Sequence, residues 1–151
     1  MGQKTDLIVV DTDIFIRDLR YSRDRESTIN RRFLDAIRTQ GNAATTIVNL
    51  LEICGILSFN LSSVQLKELF FYFPRRYHVD VLPLHSLEEP LPDIGIGNLF
   101  ERIGKKLSFG DALIAAVVEK FIPGADVFVS WNAKHFQQMH IPSLTPAQFL
   151  K

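Results

Sequence analysis

A single cysteine, Cys54, is present in 151 residues. That excludes an internal disulfide framework and a multi-cysteine zinc site, and it fits a reducing compartment. Cys54 stands in an apolar run and reads as a small buried hydrophobe. Excess charge is missing too: 17 Lys and Arg balance 17 Asp and Glu, for a formal net charge of +0. No whole-molecule field advertises a nucleic-acid partner, so such a role must come from local charge. Long hydrophobic runs are absent. No stretch approaches the ~18 apolar residues of a spanning helix, and Leu7 to Val10 is too short for a signal-peptide core. The expectation is a cytoplasmic protein without membrane contact. With no repeat, low-complexity tract or interdomain linker, residues 1–151 are expected to form one domain.

What is present is core material. Hydrophobic residues make up 46% of the chain and include 12 Phe, which argues against disorder. Leu7 to Val10 is an unbroken aliphatic run that stops at Asp11, as in a strand buried on both faces. A short helix is predicted from Asp13 to about Leu19, then a polar connection from Tyr21 to Ser27. Thr28 to Thr39 carries Ile29, Phe33, Leu34 and Ile37 on one helical face. After a Gly41-Asn42 turn come a second strand, Ala43 to Thr46, and a helix, Ile47 to Leu57, apolar almost all round. Leu61 to Phe73 reads as a helix ended by Pro74, and His78 to Leu82 as a third strand. Glu88 to Gly97 is loop, followed by helices over Asn98 to Leu107 and Phe109 to Phe121. A fourth strand, Asp126 to Ser130, a short helix, Ala133 to Met139, and a last strand near Ile141 to Leu144 complete the chain. Strands alternating with helices predict crossovers and a parallel sheet. The fold class is therefore α/β: about five parallel strands flanked by helices in three layers. Ligands of such sheets gather outside the carboxyl ends of the strands, so the polar residues there matter most.

Asp11 ends the first strand, and Asp13 follows two residues on. Asp11 reads either as a helix N-cap or as a group projecting into the crevice, and Asp13 either joins it there or turns away. Glu52 lies in an apolar helix, where a carboxylate needs a cation or a hydrogen-bond donor. Asp111 follows Ser108-Phe109-Gly110, a helix start in which Ser108 is the N-cap and an early acid is favoured. The histidines, His78, His85, His135 and His140, lack the pairing of a zinc site.

The segments VDTDIFI at 10–16, VNLLEICGIL at 48–57, FGDALIAAVVEK at 109–120 and FVSWNAKHF at 128–136 resemble, in order, the four motifs of the PIN-domain family. The terminal LTPAQFL at 144–150 resembles the closing segment of VapC-like toxins of that family. The resemblance implies a parallel sheet flanked by helices and Mg²⁺- or Mn²⁺-dependent endoribonuclease activity. By position it assigns Asp11, Glu52 and Asp111 to catalysis and metal binding. Asn132 stands at the fourth acidic position, where an amide brings a carbonyl ligand but no charge. This departure puts a second metal in question. Asp13, Ser130 and His135 are accessory candidates. Acids drawn together repel and raise one another's pKa, a repulsion that a hard cation with oxygen ligands resolves.

Residues 17–38 hold seven arginines against four acids, an excess of +3. Arg17 and Arg20, with Lys105 and Lys106 before the Asp111 helix, are candidate RNA contacts, and Tyr21 is a candidate stacking residue. A mixed, solvated helix face explains the same arginines. The resemblance further implies a homodimer and a cognate antitoxin. The apolar Leu61 to Phe73 helix reads mostly as core, and its surplus of large apolar residues is also a candidate homodimer surface or groove for a partner helix. The rival reading is a non-catalytic PIN-like interaction module, with the acids surviving as caps and ion pairs. A phospho-receiver domain would need an Asp at the end of the third strand, and none stands there.

Overall fold

The computed structural model describes residues 6–20 and 23–151. Strand β1, Leu7–Val10, is followed by α1, Thr12–Leu19, and α2, Arg25–Gln40. Next come β2, Ala43–Thr46, α3, Ile47–Leu57, α4, Ser63–Tyr77, and β3, Asp80–Leu82. The second half holds α5, Ile96–Gly104, α6, Phe109–Phe121, and β4, Ala125–Val129. A single 3₁₀ turn, Ala133–Phe136, precedes β5, Ser143–Leu144, and α7, Pro146–Phe149.

The five strands form one sheet in the order β3-β2-β1-β4-β5. Every pairing is parallel, with Val9 opposite Ala44 on one side and Phe128 on the other. Helices cover both faces, giving the expected α/β/α layers. This explains why β1 reads as a continuous apolar run: Val9 and Val10 are fully buried. Phe15, Phe33, Leu50, Phe73 and Phe128 fill the space between helices and sheet. Phe15 meets Phe73 and Tyr77 edge-on, with ring centroids 4.8 and 4.9 Å apart. The chain builds β2 and β3 on one side of β1, then crosses to place β4 and β5 on the other. The resulting switch point opens a crevice at the carboxyl end of β1.

Several element limits differ from the sequence expectation. Helix α2 starts at Arg25 rather than Thr28, because the Asp24 side chain caps it by accepting from Ser27 N at 2.7 Å. Its end is as expected: Gly41 adopts φ 68°, the left-handed conformation that glycine enters freely. Helix α5 begins at Ile96 and ends at Gly104, ahead of the predicted limits. The helix expected over Ala133 to Met139 shrinks to the turn Ala133–Phe136, the last strand shrinks to Ser143–Leu144, and α7 follows where no helix was expected. Helix α3 is not buried all round: Leu51 and Gly55 are exposed, and Cys54 is only half-buried.

The clearest departure is α4, which runs through Pro74 to Tyr77 instead of stopping before it. Proline removes the N–H that would bond to the carbonyl four residues back. Here that carbonyl, Phe70 O, accepts a bond from His85 Nε2 at 2.7 Å, and the imidazole stacks on the Phe70 ring. A side chain from beyond β3 thus satisfies the group that Pro74 orphans. His78 then closes the helix at φ 55°, which delays β3 to Asp80. Replacing His85 with alanine is expected to cost about 1–2 kcal/mol, through a partly buried carbonyl left unpaired. Urea unfolding of His85→Ala beside wild type measures this.

Candidate acidic site

Asp11 leaves β1 at the switch point and is the N-cap residue of α1. Only 5% of it is exposed. Its Oδ1 accepts from Thr12 N at 2.8 Å and from Asn49 Nδ2 at 3.0 Å. Its Oδ2 accepts from Ser130 Oγ, just past β4, at 2.7 Å. The cap and the crevice readings of Asp11 are therefore both realised. Thr46 and Asn49 form a reciprocal capping box at the start of α3, and this aims the Asn49 amide at β1. The same amide donates to Thr12 Oγ1 at 2.9 Å, and Thr12 Oγ1 donates to Glu52 Oε1 at 2.7 Å. Glu52 is thus satisfied by a hydroxyl rather than by an Arg or Lys.

Asp13, in the first turn of α1, joins the cluster. Its Oδ2 lies 3.1 Å from Ser130 Oγ and 3.3 Å from Asn132 Nδ2. Its buried Oδ1 has no well-aligned hydrogen bond. Asp111 sits in the first turn of α6, where its N–H donates to Ser108 Oγ, as expected from the sequence. Its carboxylate faces His135 Nδ1 at 3.7 Å. The close approach of α3 and α6 falls at Gly110, where a Cβ would stand 2.9 Å from Glu52 Oε2.

Asp11, Asp13, Glu52 and Asp111 lie within electrostatic reach of one another. Among the described residues no Arg or Lys forms a salt bridge to any of them. Burial above all, then the Asp13 charge, pushes the Asp11 carboxyl up to about 8, against the bonds from Ser130 and Thr12. Burial raises Asp13 too, opposed by N–H groups of Trp131, Asn132 and Ile14 and by the Ser130 hydroxyl. Glu52 is raised by burial and by the Asp111 and Asp13 charges, against its bond from Thr12. Ser130 has one hydroxyl proton and two carboxylates within bonding distance. Both contacts are satisfied together only when one carboxyl is protonated.

The donor chemistry suits a hard divalent cation: carboxylate and amide oxygens, with no thiolate nearby. The placement is less complete. Among the described residues, no three His, Cys, Asp or Glu side chains are grouped so as to hold one ion as they stand. Thr12, Asn49, Gly110 and the Trp131–Asn30 bond, at 2.8 Å, escaped the sequence reading. Asn49 stands one helical turn before Glu52, a spacing that marks a shared face but not a shared network.

The basic candidates fare unevenly. Arg17 is held by Asp24 at 3.3 Å and Glu26 at 2.8 Å, and lies over the Trp131 ring at 5.1 Å. Lys105 pairs with Glu101 at 3.7 Å. Arg20 and Lys106 are exposed. Tyr21 lies outside the described residues.

An Asp11 that keeps its proton in the fold but loses it near 3.8 when unfolded makes the folded state bind extra protons between those values. Stability is then fully present at low pH and lost as pH rises through about 8. Asp11→Asn keeps an acceptor toward Thr12 and Asn49 and turns an amide toward Ser130. In metal-free protein at pH ~9, it is expected to be more stable than wild type by about 1–3 kcal/mol. Denaturant titrations at alkaline and mildly acidic pH test both signs. Gly110→Ala should not lower the melting temperature by more than ~2 °C, because helix propensity offsets the displaced end of Glu52. Calorimetric unfolding decides that.

No protein-family model matches the sequence, and no curated protein matches it significantly. Among solved structures, FitAcB from Neisseria gonorrhoeae superposes with a TM-score of 0.59 at 13% identity, over 93% of this chain and 98% of that one. FitAB bound to an IR36 DNA fragment superposes with a TM-score of 0.57 at 12% identity, over 92% and 94%. At such identity the likeness is one of fold, and it extends over nearly the whole of both chains.

Proposed function

We propose that this chain is a divalent-metal-dependent endoribonuclease of the PIN, VapC-like type, acting as the toxin of a toxin–antitoxin pair. The observation that carries the reading is the gathering of Asp11, Asp13, Glu52 and Asp111 at the switch point, with raised carboxyl pKa values and no salt bridge from Arg or Lys among the described residues. The motif resemblance and the fold shared with FitAcB and FitAB support it. The motif resemblance also implies a partner antitoxin.

Asp11, Glu52 and Asp111 would hold Mg²⁺ or Mn²⁺, which when bound supplies Lewis-acid activation of water and of a phosphodiester oxygen. The remaining work falls to the protein. Thr12 N, Asn49 and Ser130 fix the Asp11 carboxylate from three directions. Thr12 orients Glu52. Asn132 and Ser130 orient Asp13, which takes the place of the acid that Asn132 replaces as a source of negative charge. Exposed Arg20 and Lys106 are the basic candidates left for phosphate contacts. Hydrolysis by water yields a 5′-phosphate and a 3′-hydroxyl.

The alternative, a non-catalytic interaction module, is favoured by one observation: neutral donors already satisfy Asp11 and Glu52, and the acids do not converge on one point. Two measurements separate the readings. Mixed single-stranded RNA is expected to be cleaved with Mg²⁺ or Mn²⁺, and not with EDTA. Asp11→Asn and Asp111→Asn should each lower the rate by at least ~10²-fold. The only tryptophan, Trp131, adjoins Ser130 and Asn132, so Mn²⁺ bound at the acids should quench its fluorescence. Absence of both cleavage and quenching would establish the non-catalytic module.

A further inference from the structure

Helix α2 carries a polar residue where its pattern calls for an apolar one. Phe33, Leu34 and Ile37 form its buried stripe, and Asn30 stands three, four and seven residues before them, on the same face. Asn30 is only 1% exposed. Asparagine is a poor choice for a helix interior, and a buried amide is costly unless its polar ends are bonded. Both ends are bonded here. Nδ2 donates to the carbonyl of Ile14 in α1 at 2.9 Å, and Oδ1 accepts from Trp131 Nε1 at 2.8 Å. A carbonyl only accepts and an indole N–H only donates, so the two partners fix which end of the amide faces which.

Those partners flank one acid. Ile14 is the residue after Asp13. Trp131 lies between Ser130, whose hydroxyl is 3.1 Å from Asp13 Oδ2, and Asn132, whose amide is 3.3 Å from the same oxygen. Backbone N–H groups of Trp131 and Asn132 act on that carboxyl as well. Asn30 therefore fastens together the two segments that meet at Asp13, although neither of its bonds ends on an acid. Ser130 is held to β5 by its own N–H, which donates to Leu144 O at 2.9 Å. For Trp131 the tie is its side chain. Arg17 adds to it, lying over the indole at 5.1 Å while Asp24 and Glu26, at the start of α2, hold the guanidinium. Helix α2 thus grips the ring directly through Asn30 and indirectly through Arg17.

We infer that Asn30 is a positioning residue of the acidic site: through the Trp131 indole it fixes residues 131–132 against α1 and sets where their donors stand around Asp13. Its effect on the loop is independent of the nuclease reading. Its effect on catalysis rests on that reading, in which Asp13 supplies the negative charge that Asn132 lacks.

Backbone order parameters from NMR relaxation of the metal-free protein test the loop. Asn30→Leu removes both bonds and keeps the stripe apolar. The amides of Trp131 and Asn132 are expected to fall from a rigid value of about 0.85 toward about 0.6, while those of Val9 and Phe128 in the sheet stay at the wild-type value. Trp131→Phe keeps a ring but removes the indole donor, and should loosen position 132 in the same way. It also keeps the test decisive should Asn30→Leu fold poorly. The double variant should be no looser than the looser single one, because both remove the same bond. Wild-type order at 132 in both variants overturns the inference, and so does equal loosening of the sheet, which would make Asn30 a packing residue only. Cleavage of mixed single-stranded RNA with Mn²⁺ tests the catalytic consequence. Asn30→Leu should lower kcat about 10-fold with KM little changed. His85→Ala, which loses a bond outside the acidic network, should leave kcat as in wild type. A loosened loop with unchanged kcat, or an equal loss in His85→Ala, overturns the catalytic role. If wild type cleaves no RNA, the nuclease reading fails while the order parameters still decide whether Asn30 holds the loop.

Discussion

Buried acidic groups that no Arg or Lys among the described residues pairs with are the constraint on which the rest of this structure turns. Asp11 leaves a strand that is covered on both faces, so its carboxylate is almost wholly removed from water. Isolated, such a group is costly to keep ionised. The fold meets that cost in part with neutral donors drawn from three elements: the Thr12 amide of α1, the Asn49 amide of α3 and the Ser130 hydroxyl after β4. Those donors make the position rigid but do not neutralise it. The remaining imbalance appears as a carboxyl that holds its proton to about 8, and it sets what the pocket is suited to bind.

The same network links chemistry to architecture. The capping box that starts α3 is a local device for satisfying helix N–H groups, yet it also aims Asn49 at Asp11 and Thr12. Glu52, one turn further along α3, is reached through Thr12. The Gly110 approach brings α6 and Asp111 beside it. A change in the packing of α3 against α6 is therefore transmitted to the acids without altering any of them. Helix α5 stands apart from this system: the Arg102–Glu119 pair joins it to α6, and Ile96, Phe100 and Ile103 stay exposed.

Much of this was legible in the chain itself. The aliphatic run before Asp11, the alternation of strands and helices, and the four ordered motifs pointed to a parallel α/β/α fold with its acids at the carboxyl ends of strands. The limits of α3 and α6 follow directly from where their apolar runs begin and end. Other features depend on contacts between residues distant in sequence. Pro74 signals a helix end, and nothing nearby in sequence shows that His85 will take over the orphaned Phe70 carbonyl. Arg17 reads either as a phosphate contact or as part of a mixed, solvated face, and the packing of α2 beside α1 decides it by bringing Asp24 and Glu26 against it.

The sequence determined the fold class, the order of the elements from β1 to β5 and the candidate acids, because hydrophobic period, caps and chain-breaking residues act over a few neighbouring positions. Only the tertiary structure decided how those acids are held. The bond from Ser130 to Asp11 joins residues 119 apart in sequence, and that from Thr12 to Glu52 joins residues 40 apart. It also decided which apolar helix is left uncovered. A stripe at helical spacing looks the same in a sequence whether it faces a core or water, and only the packing of every other element against it settles which.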